Sequence, residues 1–242
     1  MTALLHYIYD PLCGWCYGAA PLIAAARDVL PMRAHGGGMM TGARRQPVTP
    51  QLRAYVNPHD ARIAALSGQH FGAGYRDGLL HDTGAVYDSE PPTIAILAAD
   101  ALAGRGLDML AALHVAHYVD GRRIAERDVL IAIAQSLGFD ADVFADAYDA
   151  HAGAVVQDHM QRTRALMARV QAPGYPTLLL ETAEGWQRIE LPPFYGDPQG
   201  FRHWLQARVA TTAATQDDAR DEPVCSIDGC APQAARHDVS AT

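Results

Sequence analysis

Residues 4–18 read LLHYIYDPLCGWCYG, and this stretch decides the fold. Its first six residues, 4–9, are mostly apolar and aromatic, which is typical of a β-strand. Asp10-Pro11-Leu12 then predicts a turn, because a residue that precedes proline avoids helical backbone angles. From Cys13 onward the pattern is helical, and it continues until Pro31 ends the helix. Two cysteines separated by two residues, Cys13 and Cys16, are therefore predicted at the start of a helix that follows a strand.

The predicted position of Cys13 at a helix start favours thiol–disulfide chemistry. Only the thiolate attacks a disulfide, and a free cysteine is mostly protonated at neutral pH. Unpaired N–H groups and the positive end of the helix dipole favour the anion at that position. Cys16 lies about one helical turn further on, where it can attack a mixed disulfide formed at Cys13. The sequence thus predicts Cys13 as the nucleophile and Cys16 as the resolving cysteine.

A zinc site and a pair of inert buried thiols are the competing interpretations of Cys13 and Cys16. Structural zinc needs a second pair of ligands at a suitable spacing. The other two cysteines, Cys225 and Cys230, lie near the opposite end of the chain, and nothing in the spacing of the histidines requires them to approach. A strand, a turn and a C-x-x-C at a helix start form the context of a redox motif. We therefore expect a redox pair, with no metal and no cofactor.

Composition and charge exclude several classes of function. The chain has 242 residues, 49% of them apolar, and a formal net charge of −8. An acidic chain lacks the clustered cations that nucleic-acid binding requires. No apolar run reaches the roughly 18 residues of a membrane-spanning helix, and no secretory leader is recognisable. Closely spaced cysteines in reducing compartments are typical of redox or metal sites. We expect a cytoplasmic protein with neither nucleic-acid nor membrane partners.

The order of predicted elements indicates an α/β protein. It runs strand, helix, strand, a long helical block, two strands and a final helix. A parallel β-α-β unit and a later hairpin would share one sheet. The helical block is too long for a loop. The sequence therefore predicts one discontinuous domain, residues 1–40 and 173–210, with a helical domain inserted at 41–172. The change of composition near Thr211 predicts a flexible C-terminal tail over 211–242.

The segment from Asp10 to Gly18 resembles the DsbA-like thiol–disulfide oxidoreductases, particularly their cytoplasmic FrnE-type members. Pro21, five residues after the second cysteine, is similar to the thioredoxin-like pattern. Gly174-Tyr175-Pro176-Thr177 resembles the cis-proline loop of the family. The resemblance covers roughly residues 4–209, and it implies an α/β, thioredoxin-like fold with a large all-helical insertion domain.

The resemblance also implies roles for individual residues. The Tyr175–Pro176 bond is expected to be cis and to face Cys13, so that Tyr175 presents main-chain groups to an extended substrate. Trp15 offers a flat apolar surface beside the sulfur. We therefore predict Pro176 as a catalytic residue and Trp15 and Tyr175 as substrate-binding residues. The implied partners are protein or peptide thiols and disulfides, together with a thioredoxin- or glutathione-type redox partner.

Two further features near the motif have open interpretations. Asp10 either caps the helix or accepts a proton from Cys16, and the cap is the favoured reading. The segment Ser89–Thr93 resembles one that lines the cleft in the same family. The dipeptide Gly14-Trp15 departs from the Pro-His or Pro-Trp of better-known members, so a strongly oxidising potential is not implied.

Cys225 and Cys230 form a second pair, with the turn-forming Asp228-Gly229 between them. This C-x4-C resembles a tail found in some FrnE-type proteins and predicts a second redox pair that relays electrons or covers the active site. A metal-binding flap that includes His237 and incidental exposed thiols are the alternatives.

The predicted function is that of a protein-disulfide oxidoreductase or isomerase acting through Cys13 and Cys16. One alternative is a chaperone or binding module in which the C-x-x-C is a redox or metal switch. Another is a small-molecule isomerase of the 2-hydroxychromene-2-carboxylate type. Related isomerases and kappa-class glutathione transferases keep serine at the nucleophile position, and Cys13 with Cys16 therefore disfavours that chemistry.

Overall fold

A computed structural model describes residues 3–218, which form eight α-helices and six strands. Short 3-10 and π turns connect some of them. In chain order the elements are β1 Leu4–Tyr9, α1 Gly14–Arg27, β2 Met32–Gly36, β3 Gln46–Pro47, α2 Pro50–Ser67, β4 Val86–Tyr87, α3 Glu90–Ala103, α4 Gly106–Tyr118, α5 Arg127–Ser136, α6 Ala141–His151, α7 Ala154–Arg169, β5 Thr177–Thr182, β6 Gly185–Ile189 and α8 Pro198–Asp218.

Four strands form the central sheet in the order β2-β1-β5-β6. β1 is parallel to β2 and antiparallel to β5, and β6 returns beside β5 as a hairpin. Ile8 pairs with Thr177 near the end of β1, so the residues that follow β1 and those that precede β5 meet at one edge. The predicted β-α-β unit and the later hairpin thus share a sheet. This pairing brings the start of α1 to the loop before β5.

The residues of β1 and α1 explain why these elements form. β1 is buried over nearly its whole length, as its apolar sequence predicts. The turn after β1 closes with a hydrogen bond from the Cys13 N–H to the Asp10 oxygen, 3.1 Å long. α1 then begins at Gly14, and Pro21 lies inside it. The buried side of α1, which includes Leu22 and Ile23, packs into the core.

The inserted segment is not all-helical, so that detail of the prediction is wrong. β3 and β4 pair in antiparallel fashion to form a two-stranded ribbon, with Gln46 opposite Tyr87 and Pro47 opposite Val86. Each strand has only two residues, and such a ribbon leaves little periodic signal in a sequence. Helices α2 to α7 make up most of the remaining insertion.

The buried core is continuous between the central sheet and the insertion. Ile63 of α2 lies directly over α1, where a side-chain carbon added at Gly14 would come within 2.9 Å of its Cδ1 atom. α7 packs against β2, and the His159 ring accepts a hydrogen bond from the Gly36 N–H. The division into domains at residues 40 and 173 therefore stays a prediction, because apolar contacts run across both boundaries.

α8 continues to Asp218, past the composition change at Thr211. The helix thus extends beyond its last large apolar residue, Val209. The rest of the predicted tail, residues 219–242 with Cys225 and Cys230, lies outside the described residues. Within residues 3–218, no helix combines the length and apolarity that crossing a membrane requires.

Candidate active site

Cys13 is the N-cap residue of α1. Its backbone is extended, and its sulfur accepts the N–H of Cys16 at 3.4 Å. The Sγ atom therefore takes the position that a capping oxygen normally holds, beside the unpaired N–H groups of the first helical turn. This is the placement that the sequence predicts for a sulfur that reacts as a thiolate.

The two cysteines differ in exposure. Cys13 keeps 6% of its surface accessible, whereas Cys16 is completely buried. Burial raises the pKa of the Cys16 thiol well above its ordinary value, and the neighbouring Cys13 thiol raises it further. Cys16 is therefore held as the protonated thiol, whereas Cys13, although also largely buried, keeps a small accessible area. The assignment of Cys13 as nucleophile and Cys16 as resolving cysteine agrees with this difference.

The loop before β5 faces Cys13. The Tyr175–Pro176 peptide bond is cis, as the family resemblance implied. The thiol of Cys13 donates to the main-chain oxygen of Tyr175 at 3.5 Å. Thr177 steadies the loop through a 2.8 Å hydrogen bond from its hydroxyl to the Gly174 oxygen. The structure thus brings the Tyr175–Pro176 bond to Cys13, as the family resemblance implied.

Gly37 determines where the Tyr175 side chain lies. A side-chain carbon at residue 37 would overlap the phenol ring of Tyr175, so only glycine leaves room for the ring. The run Gly36-Gly37-Gly38 marks the end of β2 in the sequence, but its role in the site depends on a residue far along the chain. Tyr175 remains half-buried there, and burial raises its pKa to about 12.

The favoured reading of Asp10 as a helix cap is wrong. Cys13 caps α1, and the buried Asp10 carboxylate instead accepts three other hydrogen bonds. Its Oδ1 atom accepts the Leu12 N–H and the Ser89 hydroxyl, each at 2.9 Å, and its Oδ2 atom accepts the Met39 N–H. Burial raises the pKa of Asp10, and these donors partly oppose the increase. Asp10 therefore ties the β1–α1 turn to the insertion.

Ser89 shows how the predicted Ser89–Thr93 segment reaches the site. It is fully buried, and its hydroxyl donates to Asp10 while its Oγ accepts the Met40 N–H at 3.0 Å. Its main-chain oxygen accepts the Thr93 hydroxyl. Through these hydrogen bonds, the Ser89–Thr93 segment stabilises the turn that precedes Cys13. A contact with substrate stays a prediction.

Trp15 lies on one wall of a groove of about 350 Å³ that reaches Pro176. Its ring is tilted against Tyr195, with the ring centroids 5.5 Å apart. The Tyr195 hydroxyl also donates to the Trp15 main-chain oxygen at 3.5 Å. Arg62 and Leu66 of α2, which belong to the insertion, also line the groove. Cys13 does not itself line the groove, but Trp15 lies two residues after it, and Pro176 follows Tyr175, whose main-chain oxygen accepts the Cys13 thiol.

The sequence did not indicate three of the residues that line the groove, which are Arg62, Leu66 and Tyr195. Arg62 and Leu66 lie on a helix of the insertion, and Tyr195 follows the last strand. No motif spacing connects any of them with the cysteines. Only the packing of α2 over α1 brings Arg62 and Leu66 to the groove.

The described part of the chain contains no cluster of side chains arranged to bind a metal ion. Across residues 3–218, no three His, Cys, Asp or Glu side chains are grouped as ligands for an ion. Both described cysteines are free thiols.

The comparisons with known proteins agree with this geometry. The family described as DSBA-like thioredoxin domain matches residues 5–191. This match confirms the predicted fold class, a thioredoxin-like fold with a helical insertion. No curated protein matches the chain.

Several solved structures resemble this chain. The cytosolic disulfide reductase DsbM from Pseudomonas aeruginosa is 52% identical, with a TM-score of 0.81, over 86% of this chain and 99% of that one. A structure of DsbM with GSH is 50% identical, with a TM-score of 0.80, over the same shares. A protein from Nitrosomonas europaea is 24% identical, with a TM-score of 0.72, over 87% and 99%, which shows the fold alone.

Proposed function

The chain belongs to the DSBA-like thioredoxin domain family and is a thiol–disulfide oxidoreductase, and we propose that it reduces protein disulfides through Cys13 and Cys16. One observation carries the proposal. The sulfur of Cys13, which keeps a small accessible area, caps α1 3.5 Å from the Tyr175 oxygen, and the fully buried Cys16 thiol lies one turn behind it.

The first half of the reaction reduces the substrate. The Cys13 thiolate attacks one sulfur of the substrate disulfide, and the other sulfur leaves as a thiolate that takes up a proton. A mixed disulfide now joins Cys13 to the substrate. Cys16 then loses its proton and attacks the Cys13 sulfur, which releases the second substrate thiol. The substrate gains two electrons and two protons, and the protein is left with a Cys13–Cys16 disulfide.

The cis-proline loop orients the substrate in this scheme. The Tyr175 oxygen already accepts the Cys13 thiol proton, so the main chain at residue 175 lies where an extended substrate must pass. A proline at residue 176 offers no N–H there. Tyr175 and Pro176 therefore position the disulfide for attack by Cys13, and Trp15 supplies an apolar wall beside it.

The second half of the reaction restores the dithiol. We propose a small thiol of the GSH type as the reductant, because a relative with 50% identity has been solved with GSH. Two such thiols reduce the Cys13–Cys16 disulfide and leave as one disulfide. We also propose the cytosol as the compartment, following the name of the 52% identical relative.

Insulin reduction driven by glutathione tests the proposal. Wild-type protein should accelerate the reduction, and Cys13→Ser should abolish the acceleration. Cys16→Ser should accumulate a mixed disulfide at Cys13, because the resolving thiol is gone. Activity that survives Cys13→Ser would reject the enzymatic assignment. The reduction potential of the Cys13–Cys16 pair is a second measurement. A value of about −270 mV is expected for a reductant, and a value of about −120 mV for an oxidant.

A further inference from the structure

The groove beside Cys13 has mostly apolar walls. Leu66, Ile189 and Leu191 line it together with Pro176. Ile189 and Leu191 follow one another along the end of β6 and the residues after it, and both are buried. A compound bound through sulfur to Cys13 can lay its carbon chain against this surface. The charged groups at the rim then determine which compounds fit.

Among the described residues of this rim, Arg62 is the arginine whose charge is not balanced by a neighbouring carboxylate. Its guanidinium carbon lies 5.9 Å from the centre of the Trp15 ring. Arg62 forms no salt bridge with the described side chains of residues 3–210. Arg188 also lines the groove, but its Nε lies 2.8 Å from a carboxylate oxygen of Glu190. The rim therefore carries one net positive charge, and Arg62 holds it over the Trp15 ring.

We propose that Arg62 binds a carboxylate of the small thiol that reduces the Cys13–Cys16 disulfide. The groove would then select acidic thiols over neutral or basic ones. This inference rests on the proposed function and adds a residue that determines specificity. Arg62 takes no part in bond making or breaking.

The chemistry of arginine fits this role. When a guanidinium stacks on an aromatic ring, the ring holds the flat face of the guanidinium. The N–H groups at the edge of the guanidinium remain available for hydrogen bonds. Those N–H groups form a planar fork that matches the two oxygens of a carboxylate. The Trp15 ring thus orients Arg62 at the entrance to the groove. Arg62 is exposed to solvent, so its effect should be moderate and should weaken with salt.

Reduction of the Cys13–Cys16 disulfide, the reaction that Arg62 assists, consumes two molecules of the small thiol. The first thiolate attacks the Cys13 sulfur of the Cys13–Cys16 disulfide, and Cys16 leaves as a thiolate that takes up a proton. A second thiolate attacks the sulfur of the bound compound, which releases the Cys13 thiolate and one disulfide of the small thiol. A carboxylate held at Arg62 raises the rate of the first attack by concentrating the thiol beside Cys13.

Rates of reduction of the oxidised full-length protein test this assignment. The probes are glutathione, glutathione diethyl ester and dithiothreitol, with the Cys13–Cys16 disulfide followed by alkylation and peptide mapping. Arg62→Ala should slow reduction by glutathione about three- to fivefold, the upper range for a solvent-exposed ion pair. The rates with the ester and with dithiothreitol should stay within about twofold. Arg62→Glu should slow glutathione further and accelerate reduction by cysteamine, a cationic thiol.

Arg53→Ala is the matched control. It removes an arginine from the same helix, about 13 Å along the axis from Arg62. Its rate with glutathione should equal that of the wild type. An Arg62→Ala rate with glutathione equal to the wild-type rate would overturn the assignment, and so would an equal loss with the ester. If wild-type protein is reduced by none of the thiols and does not reduce insulin, the proposed function itself fails.

Discussion

The thiol of Cys13 and the main-chain oxygen of Tyr175 lie 3.5 Å apart, although 162 positions separate the two residues. Pairing of β1 with β5 creates this contact. Cys13 follows the end of β1, Tyr175 precedes β5, and the two strands run antiparallel. The Cys13 sulfur and the cis-proline loop are therefore held together by the sheet itself. Changes that move either side of this contact should affect activity before they affect the fold.

Gly37→Ala should lower disulfide-reductase activity while the protein stays folded. The added carbon would overlap the Tyr175 ring and force it out of its place beside the Cys13 site. Overpacking of this kind costs about 1–3 kcal/mol. Insulin-reduction rates and denaturant unfolding of the same samples provide the two measurements.

Gly78→Ala is the control for this substitution, because a side-chain carbon there would meet no atom within 4 Å. We expect it to keep wild-type activity. Full activity of Gly37→Ala would show that the position of the Tyr175 ring has no influence on the site.

Acid should destabilise the protein through His114 and His117. Both rings are buried, their nitrogens have no hydrogen-bond partner within the described structure, and burial lowers each pKa from 6.5 to about 3. The unfolded chain therefore binds more protons than the folded one between about pH 6.5 and pH 3. The free energy of unfolding should fall as the pH decreases through this window, by about 2 kcal/mol per histidine at pH 5.

Denaturant unfolding of His117→Phe at pH 7 and pH 5 measures this effect. The phenyl ring occupies a similar volume and does not titrate, so the loss of stability on acidification should be about 2 kcal/mol smaller than in the wild type. His203→Gln, at an exposed position on α8, is the control and should keep the wild-type pH dependence. An identical loss in His117→Phe would mean that His117 is already protonated, or solvated, in the folded protein.

Cys225→Ser should alter the redox behaviour of Cys13 and Cys16 if the second pair relays electrons. In the full chain we expect slower turnover with insulin and a changed rate of Cys13 alkylation. Peptide mapping after partial oxidation should recover a disulfide that links the two pairs in the wild type. Ser226→Ala, between the paired cysteines, serves as the control. Unchanged turnover together with unchanged thiol reactivity would remove the relay from consideration.

The sequence predicted the central elements well because their signals are local. An apolar strand, a turn with proline and a C-x-x-C place Cys13 at a helix start within a few residues, and the structure has Cys13 as the N-cap. The Tyr175–Pro176 cis bond came from the family resemblance, since most X–Pro bonds are trans.

The predictions that failed concern residues with more than one possible partner. An aspartate three residues before a helix can cap it, yet the Asp10 carboxylate turns towards Leu12, Met39 and Ser89. α8 extends to Asp218, past the composition change at Thr211, and the predicted flexibility of residues 211–242 stays a prediction. The two-residue strands β3 and β4 left no period to detect.

By itself the sequence determined the chemistry of this protein, because a helix start and two cysteines one turn apart are short-range features. It also determined the order of strands and helices around them. The tertiary structure decided which distant residues face the sulfur. Packing of α2 over α1 brings Arg62 to Trp15, and strand pairing brings Tyr175 to Cys13. These contacts depend on how apolar surfaces fit together over the whole core, and no local pattern of residues encodes that fit.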